Sequence, residues 1–176
     1  MKKVIVMGGS SSKKSINKSL ANYAGEQLKE ATPVQIDLSK HDLPLYSIDK
    51  EIENGIPQEV MDLNELVAEA DGFILSLAEH NGAYTAAFKN AFDWLSRVEA
   101  KVWRKKPMLL MSTSPGGRGG MSALELGKSR FPFAGAEITG TFSLPSFNEH
   151  FKEGNLVNDE YAAALGQLVV EFETKL

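Results

Sequence analysis

Cysteine is absent from all 176 residues. That single absence excludes disulfides, thiolate metal sites, dithiol redox chemistry and a cysteine nucleophile, so any electrons this protein moves are carried by a bound cofactor. No apolar stretch has the length needed to cross a bilayer. Met1-Lys-Lys-Val-Ile-Val-Met-Gly8 opens with positive charge, but its apolar run is too short for a signal-peptide core and no cleavage-like sequence follows. The expectation is a soluble, cytoplasmic protein without a membrane partner. Concentrated basic charge is missing too: 19 Lys and Arg against 23 Asp and Glu leave a formal net charge of -4. The basic residues are scattered, which argues against nucleic acid as a partner.

With 43% hydrophobic and 24% charged residues, the chain has the makeup of one globular domain over residues 1–176, large enough to bury a substantial core. Short apolar runs alternate with longer amphipathic stretches, the rhythm of βαβ units around a parallel sheet. Strands are expected at Lys3 to Gly8, Pro33 to Leu38, Gly72 to Leu77, Pro107 to Thr113 and Glu137 to Thr141, mostly apolar runs of the kind buried on both faces. Helices are expected at Ser15 to Glu30, Pro57 to Ala70, Tyr84 to Glu99, Gly119 to Arg130 and Asp159 to Lys175. In the third, Phe88, Ala91, Phe92, Leu95 and Val98 share one face. His41 to Gly55, with Pro44, Gly55, mixed charge and no clear period, reads as a long exposed loop.

Polar chemistry collects where three of these strands end. After the first strand comes Gly9-Ser-Ser-Ser-Lys-Lys-Ser-Ile-Asn17. Gly8 and Gly9 allow a sharp turn, while Ser10, Ser12, Ser15 and Asn17 supply uncharged donors just where a helix begins and its free N–H groups favour an anion. This describes a phosphate nest; the plainer alternative is one serine capping the helix with the others solvated. The segment fails G-x-x-x-x-G-K-[ST], because Lys14 stands where the second glycine belongs counting from Gly9. Neither Gly8 nor Gly9 starts a G-x-G-x-x-G series, so Asp37, at the end of the second strand, only imitates a ribose-binding acid.

Leaving the third strand, Leu77-Ala-Glu-His-Asn-Gly-Ala-Tyr84 offers polar edges and exposed backbone to a flat ligand, or is an ordinary strand-to-helix loop. Leaving the fourth, Ser112-Thr-Ser-Pro-Gly-Gly-Arg-Gly-Gly120 carries four glycines, which permit close approach of a ligand or make a flexible turn. Taking the doubly wound order 2-1-3-4-5, strands 1, 3 and 4 are neighbours and these loops share one crevice at the switch point. Together they describe a site for a phosphorylated flat heterocycle such as FMN.

The same segments resemble the NADPH-dependent FMN reductases of the flavodoxin-like fold, a family that includes quinone, chromate and azo-dye reductases. Gly9 to Ala21 is similar to G-S-x-R-x-x-S-x-N-x-x-L-A; Ala78-Glu79-His80-Asn81 with Phe88 to Trp94 is similar to P-E-Y-N followed by L-K-N-A-x-D-W; Ser114 to Gly120 is similar to serine followed by G-G-x-G-G. The resemblance implies a three-layer α/β sandwich, a five-stranded parallel sheet of order 2-1-3-4-5 with helices on both faces. It also implies FMN and NAD(P)H as cofactors, a quinone-like, azo or other small acceptor, and a homodimer or homotetramer. Ser10, Ser12, Ser15, Ile16 and Asn17 would hold the FMN phosphate. Ala78, Glu79, His80 and Asn81 would lie along the isoalloxazine and ribityl, with Ser114, Pro115, Gly116, Gly117, Gly119 and Gly120 closing the other side.

No catalytic side chain and no metal are implied, because the cofactor carries the chemistry while the protein positions stacked rings and tunes them. The chain departs from the pattern twice. Ser12 replaces the family arginine, leaving phosphate compensation to backbone N–H groups, the helix end and Lys13 or Lys14. Ala78 and His80 replace the proline and tyrosine, exchanging an aromatic face for a smaller titratable ring. Asp93 and Arg97 suggest an intersubunit or i,i+4 ion pair, and Arg118 is either a cation for a nicotinamide-cofactor phosphate or a solvated loop arginine. The rival reading is a flavodoxin-like FMN-binding electron carrier without NAD(P)H oxidation; a dedicated carrier shows an acidic docking face and aromatic residues bracketing the flavin, whereas the 78–84 segment has only Tyr84. A third reading is a regulatory flavodoxin-like protein that has lost its cofactor.

Overall fold

The computed structural model describes residues 1–176. Its main sheet has strands β1 (Lys2–Gly8), β2 (Ala31–Ile36), β3 (Gly72–Leu77), β4 (Lys106–Thr113) and β5 (Ala136–Leu144). They run in the order β2-β1-β3-β4-β5, all parallel. Helices α1 (Ile16–Gly25), α2 (Ile48–Asn54), α3 (Gln58–Glu69), α4 (Ala86–Val98), α5 (Met121–Arg130) and α6 (Asp159–Glu173) connect or follow them. This is the α/β, flavodoxin-like, three-layer sandwich that the resemblance implies.

Alternation along each strand sorts the core into two layers. Ile5, Met7, Phe73, Leu75, Met108 and Leu110 point into one, where α3, α4 and α5 cover them with Val60, Leu63, Phe88, Trp94 and Leu124. Val4, Val6, Ile74, Leu109 and Met111 point into the other, beneath Leu20 and Ala24 of α1 and Leu165, Val169 and Phe172 of α6. On α4 the apolar face is buried through Phe88, Ala91, Trp94 and Leu95. Burying each such large side chain contributes about 2 kcal/mol.

Several boundaries differ from the sequence expectation for local reasons. β2 begins at Ala31 rather than Pro33; it is an edge strand, so a proline without an N–H is tolerated opposite Val4. It also ends before Asp37, whose carboxylate accepts the N–H and hydroxyl of Ser39 and starts a short 3-10 turn over Leu38–Lys40. α1 stops at Gly25, not Glu30, and the Glu173 carboxylate accepts the N–H groups of Lys29 and Glu30. The expected loop from His41 to Gly55 contains α2, capped by Ser47 and ended by Gly55 at φ 72°. No residue of α2 is buried, so it leaves no apolar period to read. Arg97 holds it through Glu51 at 2.8 Å, while Asp93 pairs with Lys89 at 2.7 Å; the i,i+4 Asp93–Arg97 pair does not form within the chain.

Asp37, the ribose decoy, is engaged with Lys18 at 3.0 Å. Burial alone would raise its carboxyl, but the hydrogen bonds from Lys18 and Ser39 outweigh that and hold it at about 2, against an ordinary 3.8. A carboxyl depressed in the folded state stabilises the fold above its unfolded value, and that contribution is lost as pH falls through the folded value. Asp37→Asn is therefore expected to cost about 2 kcal/mol at pH 7. The gap to the wild type should close between pH 3.8 and about 2, as measured by urea denaturation across that range.

Candidate functional site

The carboxyl ends of β1, β3 and β4 open into a cleft of about 610 Å³. Its nest side is formed by Ser10, Ser12, Lys14, Ser15, Ile16 and Asn17, and its other walls by Ala78, Glu79, His80, Thr113, Ser114 and Pro115. Ten of the sequence-predicted site residues thus meet in one place, which is the switch point of the sheet. Asn81, Gly116, Gly117, Gly119 and Gly120 do not line it, while Lys14 and Thr113 do.

The nest is built by close approach. Gly8 ends β1 directly beneath the first turn of α1, where a Cβ would collide with the backbone of Lys18 and lie 2.9 Å from the carbonyl carbon of Asn17. The Ser15 hydroxyl caps α1 by accepting the Lys18 N–H at 3.2 Å, and Ser10 accepts the Ser12 N–H at 3.1 Å. Capping leaves these hydroxyls able to meet an anion: an accepting hydroxyl keeps its proton to donate. The N–H groups of Ile16 and Asn17 have no acceptor within the chain, and both residues face the cleft. Orphan helical N–H groups, three serine hydroxyls and the positive end of a helix fit the phosphate of FMN.

Asn17 has a second and larger duty. Its buried amide donates to the Thr113 carbonyl at 3.0 Å and accepts from the Thr113 N–H at 3.0 Å and the Ser76 hydroxyl at 2.7 Å. The side chain ties α1 to the ends of β3 and β4, so what Asn17 presents to the nest is its backbone N–H.

Glu79 also works inside the protein. One carboxylate oxygen accepts the N–H groups of Ser122 at 2.9 Å and Ala123 at 3.2 Å, capping α5 across the cleft. Asn81 lies outside because Glu79–His80 and Ala83–Tyr84 form a small antiparallel hairpin around Asn81-Gly82, both at positive φ. Asn-Gly between short strands is a strong two-residue turn signal, and it was legible in the sequence, where the segment reads as a loop or a ligand edge. His80 stands exposed on that hairpin. Tyr84 is no flavin bracket: its ring stacks 5.6 Å from Phe131, and its buried hydroxyl has no partner. Burial pushes that hydroxyl up to about 12.

The glycine-rich segment divides into two parts. Gly119 (φ 60°) and Gly120 (φ 73°) answer to the fold, with a Cβ on Gly119 meeting the Ser143 hydroxyl and the backbone of Leu144 and Pro145. Gly119 O accepts from Ser112 at 2.7 Å and from Ser143 at 3.1 Å. At Gly116 and Gly117 a Cβ would meet nothing within 4 Å, so no internal packing demands those glycines. Arg118 is exposed and donates to the Ser122 hydroxyl at 3.3 Å.

One contribution to the site's surroundings escaped the sequence reading. Asn90 accepts the Tyr46 N–H at 2.8 Å and donates to the Leu43 and Pro44 carbonyls, and the Trp94 indole donates to Pro44 O at 2.7 Å. These α4 residues clamp the 43–46 segment beside a second hollow of about 480 Å³ lined by Ser11, His41, Asp42 and Asn90. Their helical spacing was visible; their partners, more than 40 residues away, were not.

Comparison with known proteins shows the family. The family model for NADPH-dependent FMN reductase matches residues 2–149, and the chain belongs to that family. It is accordingly an oxidoreductase with FMN and NAD(P)H as cofactors. It is similar to an NADPH:quinone oxidoreductase of Arabidopsis thaliana, 31% identical over 180 residues that cover 97% of this chain and 90% of the relative. It is also similar to a quinone reductase of Escherichia coli K12, 34% identical over 117 residues. That match covers 66% of this chain and only 62% of the relative's length. Among solved structures, FerB of Paracoccus denitrificans, a flavoenzyme NAD(P)H:(acceptor) oxidoreductase, superposes with a TM-score of 0.80 at 26% identity over 99% of this chain and 97% of its own. No helix of the protein is long and apolar enough to cross a membrane.

Proposed function

We propose that this single domain, residues 1–176, passes reducing equivalents from NAD(P)H through FMN to a quinone-like, azo or other small acceptor. The observation that carries the reading is the convergence of the unpartnered Ile16 and Asn17 N–H groups with the Ser10, Ser12 and Ser15 hydroxyls on one cleft. When bound, FMN supplies the two-electron chemistry that no side chain here provides. The chain's part is to bind and orient. The nest takes the phosphate; Ala78, Glu79 and His80 border the ring on one side, and Ser114, Pro115 and the open backbone of Gly116 and Gly117 on the other. Glu79 holds α5, and with it the 114–120 segment, at a set distance from the 78–80 wall.

No Phe, Tyr or Trp lines the cleft, which supports the enzyme over the electron carrier, whose flavin needs no second planar substrate beside it. A homodimer or homotetramer and a cytoplasmic location belong to the same proposal. The test is the visible spectrum of the protein with FMN, before and after anaerobic addition of NADPH and then NADH, followed by a benzoquinone or an azo dye. Bleaching by a nicotinamide and recovery with the acceptor are expected. Bound flavin that does not bleach would leave the carrier reading, and no bound flavin would overturn both.

A further inference from the structure

Ser12 stands where the pattern this sequence resembles has arginine, so any side-chain charge that meets the FMN phosphate comes from another residue. The cations around the cleft can be sorted by what they already hold. Lys18 is engaged with Asp37 at 3.0 Å and with the Lys13 carbonyl at 3.1 Å. Arg118 donates to Ser122 and lies outside the lining, as does Lys13. Lys14 alone among the lysines and arginines lines the cleft, and its ammonium has no hydrogen bond or ion pair within the chain. Glu79 is the one carboxylate that lines the same cleft; it caps α5 and would repel a phosphate brought in without compensation.

We propose that Lys14 is the cationic partner of the FMN phosphate in this chain, taking over from two residues further along the role that arginine has in the family pattern, and that it sets the preference for FMN over riboflavin. The inference rests on the FMN reading of the cleft. A lysine is a compact charge on a flexible stem, whereas arginine offers a fixed fork. Lys14 therefore contributes a salt-sensitive, largely electrostatic attraction and leaves the directed hydrogen bonds to the serines and the helix end. Flavins lacking the phosphate gain nothing from it.

The experiment is titration of FMN and of riboflavin, followed by flavin fluorescence, into wild type, Lys14→Ala, Lys14→Gln, Lys13→Ala and the double variant Ser12→Arg/Lys14→Ala, at low and at raised ionic strength. Removing the attraction of this one charge should weaken FMN about tenfold in both Lys14 variants. Riboflavin should stay within about twofold and the salt dependence should flatten, because no phosphate charge is then being compensated. Lys13→Ala should match wild type, and Ser12→Arg/Lys14→Ala should recover the FMN preference. Unchanged FMN affinity in Lys14→Ala overturns the proposal, as does an equal loss of both flavins, which would mean that Lys14 shapes the cleft rather than meeting the phosphate. Wild type that binds neither flavin overturns the FMN reading itself, an outcome seen before any variant is compared. Because Lys14 is exposed, thermal unfolding of the variants should coincide with wild type.

Discussion

Asn17→Ala should lower the unfolding free energy by about 3 kcal/mol and remove FMN binding in the same variant. The amide makes all three of its side-chain hydrogen bonds in a buried setting, and its partners lie 59 and 96 residues away. Truncation leaves the Thr113 N–H and carbonyl and the Ser76 hydroxyl without those partners, and an unmade bond at a buried group costs about 1 to 3 kcal/mol. The larger consequence is geometric. Ser76 is the penultimate residue of β3, Thr113 is the last of β4 and Asn17 lies in the first turn of α1; releasing them lets the nest drift from the walls that face it. Ser15→Ala is the informative contrast. It removes a helix cap worth about 1 kcal/mol and one hydroxyl, but leaves the strand ends joined, so flavin binding should weaken without disappearing. Urea denaturation with flavin titration separates the two. An Asn17→Ala protein within about 1 kcal/mol of wild type would show that the tie is not what holds the cleft together.

Gly8→Ala should be as damaging, for a steric reason. The added methyl would sit 2.6 Å from the Lys18 Cα and closer still to the Lys18 nitrogen, both backbone atoms of the first turn of α1, which cannot rotate away. Either α1 lifts from the end of β1 or the strand end shifts from its partner in β3, where Gly8 pairs with Ser76. Overpacking of this kind costs about 1 to 3 kcal/mol even where flexible side chains can adjust, and here the neighbours are rigid. The expected outcome is a loss of about 3 kcal/mol or more by urea denaturation, the upper end of that range. The neighbouring Gly9 is the control. Its Cβ would find ordinary contacts of 3.4 to 3.5 Å, so Gly9→Ala should fold nearly as well as wild type, and equal damage at both positions would rule out the close approach as the cause.

The parts legible in the sequence were those in which a physical signal is local. The apolar runs at Val4 to Met7, Phe73 to Leu77 and Met108 to Met111 are strands buried on both faces, and such runs need no partner to be recognised. The amphipathic period of α4 marked its buried face for the same reason. α2 was not legible, since a helix of 7 residues with none buried leaves no periodic trace. Glu79 was only half legible: its place at the end of β3 puts it in the cleft lining, but its cap on α5 depends on Ser122 and Ala123, 43 and 44 residues away.

The sequence by itself determined the strands, the three polar segments at their carboxyl ends and, through those segments, the kind of ligand the site suits, because each depends on residues adjacent along the chain. Tertiary structure alone decided which polar atoms remain free for that ligand. Hydrogen-bond partners are assigned by distance in space rather than along the chain: Asn17 is spent on β3 and β4, Glu79 on α5 and Lys18 on Asp37, while Ile16, the Asn17 N–H and Lys14 are left facing the cleft.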